Sequence, residues 1–110
     1  MLADNDDGAL DLIALDLGFE GHDIVGLARS GDEAVAQCEA HRPDVLVVDY
    51  RMPPGIDGVE VARRVLREGT AGRVIVYSNY ADPKVVQAAE AVGAEWLSKG
   101  RLSALRDAVL

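Results

Sequence analysis

The chain is predicted to be an α/β fold, a doubly wound five-stranded parallel sheet with helices on both faces. Three observations predict it. Apolar runs of strand length alternate with helical patterns from end to end. The central runs VLVV (residues 45–48) and VIVY (residues 74–77) are apolar without alternation, the pattern of strands covered on both faces. The second, third and fourth helical patterns each carry a start or stop signal of their own. Right-handed crossovers then put helices on both faces of one sheet.

The strands are expected at Met1–Ala3, Asp23–Ala28, Val45–Val48, Val74–Tyr77 and Glu95–Leu97. A first helix follows from Leu10, Ile13, Ala14 and Leu17, spaced i, i+3, i+4, i+7. Ser30 and Glu33 form a capping box for a second helix. It should stop near His41, because Pro43 disfavours helix at Arg42. Asp57 and Glu60 repeat the box for a third helix. Asp82–Pro83 gives a fourth helix an N-cap and a proline at its first position. Its apolar stripe is Val85, Ala88, Ala89 and Val92, and Gly93 ends it. Leu102, Leu105 and Val109 suggest a short fifth helix.

Length and composition bound the function. At 110 residues the chain is expected to be one domain, residues 1–110, large enough for a real core. A net charge of −8 with no basic cluster argues against direct nucleic-acid binding. Cys38 is the lone cysteine, so no internal disulfide forms, which fits a reducing cytoplasm. No apolar run approaches the roughly 18 residues of a membrane span. The N-terminal MLADNDDG is acidic within four residues and does not read as a signal peptide.

In such sheets ligands bind outside the carboxyl ends of the strands. Asp4, Asn5, Asp6 and Asp7 follow the first expected strand, and Asp49 follows the third. Ser78 and Asn79 follow the fourth, and Lys99 the fifth. Neighbouring strands lie about 4.8 Å apart, so these groups can converge. Clustered carboxylates repel unless something neutralises them. An all-oxygen site that keeps waters suits Mg²⁺. Asp49 could then attack phosphorus to form an aspartyl phosphate, with Ser78 and Lys99 on the phosphoryl oxygens. Pro53 and Pro54 keep the loop after Asp49 from continuing as helix, and Gly55 and Gly58 let it turn.

The segment DVLVVDYRMPPGIDGVEVARRV, with the hydroxyl after VIVY and the later Leu97-Ser98-Lys99, resembles the receiver domain of bacterial two-component response regulators. The resemblance covers nearly the whole chain and implies a flavodoxin-like strand order, 2-1-3-4-5. It implies that Asp49 is the phosphoacceptor. Asp4 and Asn5 would stand at the acidic-pair positions of a Mg²⁺ site, and Arg51 would lend its main-chain carbonyl. Ser78 stands at the switch hydroxyl, Lys99 at the lysine, and Trp96, three before it, at the switch aromatic. The implied donor is a histidine kinase or phosphotransfer protein in the cytoplasm. A homodimer through the fourth helix, fifth strand and fifth helix is the implied assembly.

The sequence departs from the family pattern in several places. The acidic pair reads Asp4-Asn5, the switch hydroxyl is followed by Asn79, and Lys99 by Gly100. These departures motivate an alternative, a pseudo-receiver that binds partners without phosphorylation. A metal-dependent phosphohydrolase is disfavoured, because the chain leaves no room for a substrate cap. His22 and His41 have no ligand-like spacing and read as surface residues. Cys38 shares a helical stripe with Ala34 and reads as core.

Overall fold

The structure, a computed structural model, describes residues 1–4, 26–52, 55–78 and 83–98. In chain order these form β1 (Leu2–Ala3), β2 (Leu27–Ala28), α1 (Gly31–His41), β3 (Val45–Asp49), α2 (Gly58–Glu68), β4 (Arg73–Ser78), α3 (Pro83–Ala91) and β5 (Glu95–Ser98). The three helices are the second, third and fourth expected from the sequence. The expected first and fifth helices, the start of the second strand, Asp82, Pro53, Pro54 and His22 lie outside the described residues.

All five strands are parallel and lie in the order β2-β1-β3-β4-β5. The chain runs outward from β1 to β2 and then returns to β3 on the other side of β1. That reversal makes β1 and β3 the switch point, where a crevice opens beyond the carboxyl ends. The ladder Leu2↔Val47 and Ala3↔Val48 therefore delivers Asp4 and Asp49 side by side at that edge.

The VLVV and VIVY runs are sealed on both faces, as their lack of alternation requires. Leu46, Val48, Val74 and Val76 join Ala3 and Ala28 against Ala34 and Cys38 of α1 and Val61, Ala62 and Val65 of α2. On the opposite face Leu2, Val47, Ile75 and Tyr77 are also buried. Cys38 is core, as its stripe predicts, and His41 is exposed.

Helix boundaries follow their signals with two differences. Ser30 Oγ accepts the Glu33 N–H at 3.1 Å, and Asp57 Oδ1 accepts the Glu60 N–H at 2.9 Å. The returning arms differ from a capping box. Glu33 accepts from the Arg29 N–H at 3.4 Å and from Gln37. Glu60 turns to Arg63 and Arg64, and the Arg63 guanidinium pulls its carboxyl down to about 2. α1 stops at His41, but Arg42 adopts the left-handed region (φ 46°) and donates its N–H to the Cys38 carbonyl at 2.8 Å. The helix cap thus overrides the extended conformation favoured before proline.

Strand ends also run further than the apolar runs. β3 includes Asp49, β4 spans Arg73–Ser78, and β5 reaches Ser98. The Tyr50 N–H bonds to the Tyr77 carbonyl at 3.0 Å, which carries the ladder past the last apolar residue. Ala88, expected in the buried stripe of α3, is exposed. It lines a cleft of about 310 Å³ with Tyr50, Asp57, Val59, Lys84 and Val85.

Candidate functional site

Asp49 is the last residue of β3 and pairs in register with Tyr77 of β4. A strand fixed on both sides holds its carboxylate still. The chain then leaves the sheet through Tyr50, whose carbonyl accepts the Gly58 N–H at 2.8 Å. This clamps the start of α2 onto the strand end. A Cβ on Gly58 would lie 2.4 Å from the Asp49 carbonyl oxygen, so only glycine permits the approach. The buried Met52 anchors the intervening loop in the core.

Asp4 follows β1 and donates its N–H to the Ala28 carbonyl at 2.9 Å. It is 0% exposed, and Asp49 is 5% exposed. Two carboxylates sealed at one sheet edge are costly unless donors or a cation answer them.

Part of the answer comes from the last residue of the apolar VIVY run. The Tyr77 hydroxyl donates to Asp4 Oδ2 at 2.5 Å, a buried bond. β4 and β1 are two strand spacings apart, roughly 10 Å. Tyr77 therefore reaches past β3, the strand that carries Asp49. The signal available beforehand was slight: the one residue of VIVY with a hydroxyl sits at its carboxyl end.

The other candidates are placed unevenly. Ser78 ends β4 one step beyond the Tyr77–Asp49 pair and lies in register with Ser98 of β5. Lys99 and Asn5 each adjoin a described segment but lie outside the described residues. Arg51 stands two residues past Asp49 with an exposed side chain. Trp96 pairs in register with Val76, and its half-buried ring packs on the core. Its indole Nε1–H is buried and has no hydrogen-bond partner among the described residues.

Among the described residues no three His, Cys, Asp or Glu side chains gather to hold a metal. Among the described residues Asp4 and Asp49 offer hard carboxylate oxygens at neighbouring strand ends. That donor set fits Mg²⁺, which binds through one or two carboxylates and keeps its waters.

Comparison with known proteins decides the family. The family model of the response regulator receiver domain matches residues 1–109. The chain belongs to the receiver domain family. The signal receiver domain of NarL from Mycobacterium tuberculosis superimposes on this receiver with a TM-score of 0.90 and 31% identity, covering 98% of this chain and 89% of that one. Over 71 residues the M. tuberculosis probable transcriptional regulatory protein NarL is 41% identical, covering 64% of this chain and 32% of the relative. The protein-glutamate methylesterase/protein-glutamine glutaminase 3 of Pseudomonas aeruginosa is 45% identical over 69 residues, 62% of this chain and 20% of the relative. The receiver thus spans less than half the length of these relatives. Among the described residues no helix is long and apolar enough to cross a membrane.

Proposed function

We propose that this receiver takes a phosphoryl group onto Asp49 from the phosphohistidine of a histidine kinase or phosphotransfer protein. A carboxylate oxygen of Asp49 attacks phosphorus as the P–N bond to the donor imidazole breaks. The imidazole leaves with that electron pair and takes up a proton from solvent. What supports the reading is that Asp4 and Asp49 each follow the last β1–β3 pair, Ala3↔Val48, at the switch point, both buried at a carboxyl edge.

Asp4, Asp49 and the Arg51 carbonyl would hold Mg²⁺, with Asn5 completing the acidic-pair position. When bound, the cation neutralises the carboxylates and polarises the phosphoryl oxygens. Ser78 donates its hydroxyl to a phosphoryl oxygen and Lys99 pairs with another. The new dianion draws the residues after β4 inward. Trp96 is the second part of the switch. A buried N–H without a partner costs about 1–3 kcal/mol, so a rearrangement that supplies one is favoured. The surface built on α3, β5 and the residues after β5 then changes its affinity for an output partner or for a second copy of the chain.

In this reading residues 1–110 form one cytoplasmic signalling domain. It processes no separate substrate, and it binds neither nucleic acid nor membrane directly. Incubation with Mg²⁺ and acetyl phosphate should add the mass of one phosphoryl group, and Asp49→Asn should abolish the gain. No gain on the wild-type chain, or an equal gain on Asp49→Asn, contradicts the reading.

A second reading is a receiver that binds its partner without phosphorylation. The uncharged Asn5 and the 5% exposure of Asp49 favour it. It predicts unchanged partner binding by Asp49→Asn.

A further inference from the structure

We infer that Tyr77 is a positioning residue for the divalent cation site: its phenol holds the Asp4 carboxylate in the orientation that captures the ion. The inference rests on the metal reading of Asp4 and Asp49 proposed above and adds a residue to it.

Asp4 is fully buried where β1 leaves the sheet, and no water-exposed edge orients its carboxylate. Backbone bonding fixes its main chain to β2 through the Ala28 carbonyl, so the orientation of its carboxylate is set by side-chain partners. The Tyr77 hydroxyl bonds to Oδ2 from the far side of β3. Tyr77 is itself held in place by its surroundings, since β4 is an inner strand paired with both β3 and β5 and the residue is 5% exposed. A donor seated on an inner strand thus helps to fix the rotation of the Asp4 carboxylate. One phenol proton engages one lone pair of Oδ2. A carboxylate has about four lone-pair sites, so this one bond is compatible with ligation. Partners of this kind around ligating carboxylates change metal affinity by about 10–100-fold when removed. The need is sharper here than where two acids share the task. Asn5 supplies an amide at the second acidic position, so Asp4 carries the whole charge of that pair.

Tyr77→Phe keeps the ring and removes only the donor. The test is Mg²⁺ titration of wild type, Tyr77→Phe, Asp4→Asn and the double variant. Calorimetry and the fluorescence of Trp96, the single tryptophan, give the Kd. Urea unfolding of each variant in EDTA confirms that it is folded under the titration conditions. Tyr77→Phe should weaken Mg²⁺ binding about 10-fold. In the Asp4→Asn background the same change should have little further effect, because the carboxylate through which Tyr77 acts is gone. A merely structural tyrosine would weaken binding equally in both backgrounds. Wild-type binding with an unchanged or tighter Kd in Tyr77→Phe overturns this inference and leaves the metal reading intact. The same holds if the loss in the Asp4→Asn background is equal. Absence of Mg²⁺ binding by the wild-type chain overturns both.

Discussion

The places of Asp4 and Asp49 at strand ends were legible in the sequence because each follows an apolar run, although an isolated Asp there reads as a cap or turn and only the flanking pattern singles it out. Tyr77 was not legible in this way. A tyrosine closing VIVY reads as core, and nothing in linear spacing reveals that its hydroxyl crosses β3 to meet Asp4. Partners of a buried polar group come from the three-dimensional neighbourhood, whereas its burial comes from the local pattern. Cys38 is the opposite case, correctly read as core from its stripe with Ala34. Burial pushes its thiol up to about 11 from an ordinary 9. Between those values the unfolded chain loses the thiol proton and the folded chain keeps it. The unfolded state then binds fewer protons, so stability falls as pH rises from about 9 to 11, with a slope of at most about 1.4 kcal/mol per pH unit. Below pH 9 both states keep the proton and the effect vanishes. Urea unfolding across this range should show the alkaline loss in wild type and a shallower one in Cys38→Ala. Equal slopes would contradict it.

Among the elements, the junction of β3 with α2 matters most to the site. Asp57 caps the helix, and Gly58 lets its first turn lie against the backbone of Asp49 and Tyr50. Gly58→Ala would set a Cβ 2.4 Å from the Asp49 carbonyl and 3.0 Å from the Tyr50 Cα. The helix must then retreat, at a cost of about 1–3 kcal/mol. Denaturant titration should show that loss, and phosphorylation by acetyl phosphate should slow with it. Wild-type stability would mean the helix start is not clamped as described. The same junction shows why helix starts were legible and their details were not. The first arm of a capping box depends on the cap residue and its neighbours, so Ser30 and Asp57 were found. The returning arm competes with every donor nearby, and Arg63 with Arg64 wins Glu60. Arg42 likewise takes a left-handed cap, which a rule about the residue before proline does not contain.

For the molecule as a whole, the strand order converts positions far apart in sequence into neighbours. Asp4 and Asp49 come to neighbouring strand ends because the strand order places β3 beside β1. Alternation of apolar strands and capped helices announces the class of fold. The order itself came from family resemblance, since no local pattern specifies which strands adjoin. The net charge of −8 accords with the proposed cation site and opposes sequence-independent grip on a phosphate backbone. A crystal structure grown with Mg²⁺ and beryllium fluoride tests the account most directly. The account predicts beryllium fluoride on an Asp49 oxygen and Mg²⁺ held by Asp49, Asp4 and the Arg51 carbonyl, with Tyr77 still bonded to Asp4. An unmodified Asp49 with no cation beside Asp4, in crystals that contain both reagents, would contradict it.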